Sequence, residues 1–212
     1  IQVITNDSLS GRVLIDTTDL VVAPGAIDLH SHGQDDENYR IQAKDGVTTA
    51  LELEVGVLDI NQWYTEREGR TLINFGASVG HIPVRIEVMN DPGDMLPVSD
   101  GAYKEASELQ IEEMKTLMHR GLRSGALAMG FGLAYTPAAT RWEAMEMFRV
   151  AAHYGASCHV HMRGMGHKEP LNSIEGLSEL IAASVTSGAP LHLVHLNSSG
   201  QHAVPNLLQM IE

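Results

Sequence analysis

Apolar and polar positions follow two different patterns along this chain. Near the start, two β-rich runs at residues 13–15 and 20–22 flank a polar Asp-Thr-Thr-Asp turn. From residue 24 onward, apolar runs of strand length alternate with segments of helical periodicity. The pattern predicts a short β-rich part over residues 1–23 and a larger α/β part over residues 24–212.

The larger part contains a series of predicted strands and helices. The first strand runs up to the histidines at 30 and 32, and the later strands are residues 46–56, 71–80, 156–162 and 190–196. Residues 125–132 form either a further strand of small residues or a tight connection. Helices are predicted over residues 102–123, 142–154 and 173–187, and from Pro205 to the end of the chain. Strands that alternate with helices in this way are joined by parallel crossovers, which indicates an α/β fold.

The number of strands narrows the fold class. No G-x-G-x-x-G follows a strand, so the sequence does not indicate a dinucleotide-binding sheet. A (β/α)8 TIM-type barrel has eight strands and about 250 residues, and residues 24–212 supply about six strands. We therefore expect most of such a barrel, incomplete at its C-terminal end, preceded by part of a small β-sandwich domain in residues 1–23.

Composition limits the classes of partner. Hydrophobic residues make up 43% of the 212 residues and charged residues 19%, as in ordinary globular domains. A formal net charge of −13 disfavours nucleic acids and anionic membrane surfaces as partners. No apolar run approaches the roughly 20 residues of a membrane span. The single cysteine, Cys158, fits a reducing compartment, so we expect a cytoplasmic protein.

Metal-competent side chains recur where the predicted strands end. His30 and His32 end the first strand, and the residue pairs 52/54 and 159/161 and His195 end later ones. Residues two apart on a strand share a face, and the C-terminal strand ends of a barrel converge on one site. Histidine and carboxylate ligands together suit zinc or a similar divalent ion.

Several motifs of the chain resemble a known family. "VVAPGAIDLHSH" resembles the amidohydrolase superfamily, whose first barrel strand ends in His-x-His after a Pro-Gly turn. "GVTTALELEVG", "ASVGH", "GALAMGFGLAYTPAA", "HVHMRG" and "LHLVHLNSSG" follow in the order and rough spacing of the N-acyl-D-amino-acid deacylase (D-aminoacylase) family. The resemblance covers nearly all of the chain from about Val21 onward.

The resemblance implies a set of metal ligands. His161 and His195 match the tight metal-ligand histidines, and His30 and His32 match the pair that holds a second metal. The family's second strand usually supplies a cysteine, in place of which this chain offers Glu52 or Glu54. We select Glu54 because it lies nearer the strand end. One or two Zn²⁺ ions are expected, since a carboxylate can bridge two metals.

Further residues match family positions near the substrate. Tyr135, Arg163 and His81 are expected to bind it. Arg163 would either bind a substrate carboxylate or brace a loop, and His81 would either line the pocket or stabilise a loop. His159 lies two residues before His161 and so deeper in the barrel, which favours a hydrogen-bonded core histidine over a ligand.

The implied activity is hydrolysis of the linear amide bond of N-acyl amino acids, with D-configuration, by metal-activated water. The general-base aspartate of the family lies on the eighth strand, which falls beyond Glu212, so the fragment alone is expected to be inactive. Alternatives are a dipeptidase, a cyclic-amide hydrolase or an inactive barrel that serves as a binding protein. The expected partner is a small-molecule substrate, and homo-oligomers are possible.

Overall fold

The computed structural model describes residue 5, residues 7–8 and residues 10–212. One sheet of six parallel strands has the order of the chain, each strand pairing with the next. The strands are β1 (Ala26–Asp28), β2 (Val47–Val57), β3 (Asn74–Gly80), β4 (Met129–Gly132), β5 (Cys158–His161) and β6 (Leu191–Leu193). This half-barrel is the architecture expected of an incomplete TIM-type barrel.

Helices connect the strands and cover the outside of the sheet. They are α1 (Asp36–Lys44), α2 (Ile60–Arg67), α3 (His81–Met89), α4 (Asp100–Tyr103), α5 (Glu108–Arg123), α6 (Arg141–Tyr154), α7 (Ser173–Ser187), α8 (Leu196–Gly200) and α9 (Val204–Ile211), with a 3₁₀ turn at Gln201–Ala203. None of the described helices is both long enough and apolar enough to cross a membrane.

End signals in the sequence explain most helix bounds. The Thr140 side chain accepts from the Glu143 backbone N–H and starts α6, and Gly155, in the left-handed conformation, ends it. The single helix predicted over residues 102–123 is wrong, because Ser107 forms a capping box with Gln110 that starts a separate helix, α5.

The hydrophobic core lies between the sheet and the helices. Met118 of α5, Phe131 of β4, Phe148 of α6 and Leu177 of α7 are completely buried in one cluster. Burial of each such side chain contributes about 1.5–3 kcal/mol. This packing fixes the strands and leaves their C-terminal ends to carry the polar site.

Residues 10–25 differ from the sequence expectation. The predicted β-rich runs at 13–15 and 20–22 are not strands, and their side chains are exposed, with Val21 at 94%. They pair with no strand among the described residues, and an isolated strand leaves its backbone groups without partners. The assignment of residues 1–23 to a small β domain stays a prediction, and its residues 1–4, 6 and 9 lie outside the described residues.

Candidate metal centre

The carboxylate of Glu54 lies at the centre of four imidazoles. Its Oε2 atom is 3.1 Å from His30 Nε2, 3.4 Å from His32 Nε2 and 3.5 Å from His195 Nε2. Its Oε1 atom is 2.9 Å from His161 Nδ1. The five residues come from four separate strand ends, and the structure thus brings together all five ligands that the sequence predicted.

The His-x-His pair lies just beyond β1 rather than in it. The Asp28 carboxylate accepts from the backbone N–H of His30 at 2.9 Å. The backbone N–H of Ser31 donates to the carbonyl of Leu51 in β2 at 3.0 Å. The segment therefore stays tied to β2 although the strand has ended, and both imidazoles still reach the same carboxylate.

Glycines in β2 and β4 accompany an irregularity near the end of β2. The register between β2 and β3 shifts between Glu52 and Val57, and Gly56 has a φ of +67°, which glycine adopts without steric cost. A Cβ atom on Gly130 of β4 would collide with the carbonyl oxygen of Glu54. A glycine at position 130 is thus what allows the Glu54 backbone to approach β4.

His195 occupies a strained backbone position. The strand β6 ends at Leu193, whereas the predicted strand ran to residue 196 and included His195. His195 instead has φ 31° and ψ 49° at the start of α8. The left-handed region costs a residue with a side chain on the order of 1 kcal/mol. Such strain is concentrated at functional sites, and here it sets the direction from which the imidazole approaches Glu54.

Electrostatics keep the central carboxylate ionised. Burial opposes ionisation of Glu54, but hydrogen bonds from His161 and His32 outweigh burial and hold its pKa well below the ordinary value. Hydrogen bonds to Glu52 and Glu54 raise the pKa of His32 to about 10. Burial lowers the pKa of His30 despite the nearby charge of Glu54.

The donor set fits a divalent metal ion. One ligand atom each from His30, Glu54 and His195 lie within 4.8 Å of one another. The Nδ1 atoms of His30 and His195 are buried without a hydrogen-bond partner among the described residues. Imidazole nitrogens and a carboxylate oxygen that converge in this way are the ligands that zinc prefers. We therefore regard the cluster as able to hold Zn²⁺.

Tyr135 and Arg163 lie beside the cluster in different ways. The Tyr135 ring packs edge-on against His161, with ring centres 4.9 Å apart, and its substrate role stays a prediction. The Arg163 guanidinium pairs with Glu179 at 3.1 Å and donates to the Ala139 carbonyl at 2.7 Å. It also donates to the carbonyls of residues 136 and 137, so these contacts favour loop bracing over binding of a substrate carboxylate.

The contacts of His81 bear on whether it lines the pocket or stabilises a loop. His81 is completely buried, and its Nε2–H donates to Glu143 at 2.7 Å. Arg85 donates to the same carboxylate, and the His81 ring stacks on Phe131. As the first residue of α3, His81 contacts Glu143 of α6. The loop-stabilising alternative is the one that fits these contacts.

His159 has the contacts of an interior histidine. Its Nε2 atom is 3.1 Å from the Ser157 hydroxyl, and its ring stacks on His192 with centres 4.6 Å apart. Burial, together with His192, lowers the pKa of His159 to about 4. Two sets of contacts were not predicted from sequence: the His81–Glu143–Arg85 cluster and the contact of Glu52 with His32. Their one signal in the sequence is that histidine and glutamate often pair.

A half-barrel with histidines and a carboxylate near its C-terminal strand ends is an arrangement that can hold a divalent metal ion. No protein-family model matches the chain. D-aminoacylase from Alcaligenes xylosoxydans xylosoxydans is 27% identical over 222 residues, which cover 88% of this chain and 42% of that protein. N-acyl-D-glutamate deacylase from the same organism is 25% identical over 213 residues, covering 85% and 41%.

Solved structures agree on the fold. The N-acyl-D-glutamate deacylase of Bordetella bronchiseptica, complexed with zinc and a phosphonate inhibitor, has a TM-score of 0.67 at 20% identity and covers 89% of this chain and 44% of its own. A D-aminoacylase with a binuclear metal centre has a TM-score of 0.63 at 23% identity, covering 79% and 39%. The chain spans about two fifths of the length of its curated relatives. The chain is thus similar in sequence to D-aminoacylase and N-acyl-D-glutamate deacylase, which confirms the resemblance of its motifs.

Proposed function

We propose that this chain supplies the metal-binding part of a hydrolase that cleaves the linear amide bond of N-acyl amino acids, in particular N-acyl-D-amino acids. The observation that carries the proposal is the Glu54 carboxylate within 3.5 Å of four imidazoles at the strand ends of a half-barrel. The names of the two curated relatives, both deacylases of D-amino-acid derivatives, support the substrate class.

Each ligand has a proposed part in the centre. His161 and His195 would hold one Zn²⁺ ion and His30 and His32 a second, and Glu54, which contacts both pairs, would serve either. When bound, the metal supplies activation of water and polarisation of the scissile carbonyl. The depressed pKa of Glu54 keeps this side chain an anion, which is the form that binds cations.

Neighbouring side chains position and shield the reacting groups. Tyr135 packs on His161, where its hydroxyl can donate to a substrate oxygen. Arg163 holds the loop that carries Tyr135 through carbonyls of residues 136–139. The proton transfer to the leaving amine is assigned to the family's strand-eight aspartate, an expectation that rests on the resemblance.

The test uses the full-length protein, purified with zinc, and matched N-acetyl-D- and N-acetyl-L-amino acids. We expect amine release from the D-series. Glu54→Ala is expected to lose zinc affinity by more than about 100-fold, beyond the effect of an outer-shell partner, and to lose amine release with it. Glu113→Ala, at an exposed glutamate of α5, is the matched control and should retain both.

Each other outcome rejects a defined part of the proposal. Zinc binding without release from either series would reject the substrate class. Zinc binding by Glu54→Ala at the affinity of the natural protein would reject the role of Glu54. A protein that binds no zinc under any condition would reject the metal centre and leave an inactive barrel.

A further inference from the structure

Glu52 and Glu54 contact opposite nitrogens of the same imidazole. The Oε2 atom of Glu52 is 2.8 Å from Nδ1 of His32, and the Oε2 atom of Glu54 is 3.4 Å from its Nε2. The two nitrogens of an imidazole point away from each other across the ring. Glu52 therefore lies on the side of His32 that faces away from the cluster centre.

The position of Glu52 is itself fixed. Its side chain is nearly buried, and its Oε1 atom accepts from the backbone N–H of Gly56 at 3.4 Å. Gly56 lies in the segment where the register of β2 shifts. The irregular segment of β2 thus supplies the backbone N–H that holds Glu52 beside His32.

His32 differs in this respect from two other members of the cluster. The Nδ1 atoms of His30 and His195 are buried without a partner in the part of the chain that the structure describes. His30 Nε2 also lies 3.2 Å from His32 Nε2, so the two rings of the pair approach one point. Of the pair that holds the proposed second ion, His32 is the ring whose far nitrogen has a carboxylate partner.

We infer that Glu52 is a positioning residue that orients His32 and is not a metal ligand. It accepts the Nδ1–H of His32, which leaves Nε2 as the ligating atom and directs that atom toward Glu54. An outer carboxylate of this kind fixes both the tautomer and the ring orientation of a metal-bound histidine. The inference rests on the proposed function, because it concerns the same centre, and it resolves the choice between the two glutamates in favour of Glu54.

Three substitutions separate positioning from ligation: Glu52→Ala, Glu52→Gln and Glu52→Asp. Glutamine keeps an oxygen that accepts from Nδ1–H at the same distance, whereas aspartate keeps the charge but is one methylene shorter. A positioning residue predicts that Gln retains zinc affinity within a few-fold and that Ala and Asp weaken it by about 10–100-fold. A ligand predicts the reverse order of Gln and Asp, because an amide oxygen is a poor zinc ligand.

The measurement is a zinc titration of the full-length protein against a competing chelator, repeated with Co²⁺ to record its absorption spectrum. We expect the Gln variant to keep the natural Co²⁺ spectrum and the Asp variant to change it, while Glu113→Ala matches the natural protein. If Glu52→Ala does not fold, the order of the Gln and Asp variants still decides.

The possible failures are distinguishable. Unchanged affinity and spectrum in all three Glu52 variants, with zinc bound and amine released by the natural protein, would overturn this inference and leave the proposed function intact. Variants that behave as expected, without amine release from any substrate, would overturn the proposed substrate class alone. Absence of zinc binding in the natural protein would overturn both.

Discussion

Two buried glutamates of this molecule are each hydrogen-bonded by histidine, yet they have different surroundings. Glu54 is surrounded by the imidazoles of His30, His32, His161 and His195. Glu143 is paired with one imidazole, His81, and one guanidinium, Arg85. In both cases burial would raise the pKa of the carboxyl group, and the partners outweigh burial and lower it.

The difference lies in access and in the kind of cation. The side chains of Glu143, His81 and Arg85 are completely buried, whereas the four imidazoles around Glu54 keep between 19% and 37% of their side-chain surface exposed. Arginine stays protonated and cannot ligate a metal, but an imidazole can exchange a proton for one. A histidine near a strand end is therefore a candidate ligand only when a metal ion can reach it and replace the proton it shares with its partner.

Of the variants that test this comparison, Arg85→Met is expected to change the free energy of unfolding most. The change leaves Glu143 as a buried carboxylate with only His81 as a partner, and removal of one member of a buried ion pair costs about 3–5 kcal/mol. We expect a loss of this size in the free energy of unfolding, measured by urea denaturation of the metal-free protein.

The matched control for that experiment is Arg149→Met. Arg149 lies on the same helix as Glu143, is half exposed and pairs with Glu146, so its removal should cost at most about 1 kcal/mol. Equal losses in the two variants would show that the Glu143 cluster does not stabilise the fold more than a surface pair.

A smaller effect is expected from pH. In the folded protein the pKa of Glu143 is lowered. In the unfolded chain the same carboxyl group has the ordinary glutamate pKa of about 4.3. The unfolded state therefore binds more protons below about pH 5, and stability falls as pH decreases toward the folded pKa. One group contributes at most about 1.4 kcal/mol per pH unit.

Glu143→Gln removes this contribution, so its unfolding free energy should depend less on pH between 5 and 3 than that of the natural protein. Urea denaturation at a series of pH values measures both curves. Glu113→Gln, at an exposed position of α5, should follow the natural curve. Parallel curves for the natural protein and Glu143→Gln would contradict the ionised, paired state of Glu143.

The parts of the fold with strong local signals could be predicted from sequence. The helix α7 has the predicted bounds, Ser173–Ser187, because Asn172 caps its start and Gly188 follows its end. The helices α1, α2 and α3 were not predicted, although Asp35 and Asp59 cap the first two; α3 begins directly from β3 without a side-chain cap. The convergence of these histidines could be predicted from their positions at the ends of several strands, since parallel strands bring those ends together.

The remaining details depend on geometry that spacing does not encode. The choice between Glu52 and Glu54 depends on which nitrogen of His32 each carboxylate contacts, Nδ1 for Glu52 and Nε2 for Glu54. The burial of His81 depends on a glutamate 62 residues away in sequence, with which it pairs. Both contacts are tertiary, and no local pattern predicts them.

The smallest effect on zinc affinity and stability is expected from His159→Gln. This variant tests whether the cluster of imidazoles around Glu54 includes His159. His159 lies two residues before His161 on β5 but contacts Ser157 and His192. Zinc affinity should stay within about twofold of the natural value, while the lost hydrogen bond lowers the free energy of unfolding by about 1 kcal/mol. His161→Gln on the same strand is the matched control and should lose zinc as Glu54→Ala does. If a zinc titration gave His159→Gln the same low affinity as His161→Gln, His159 would be a ligand and the cluster would contain one more residue.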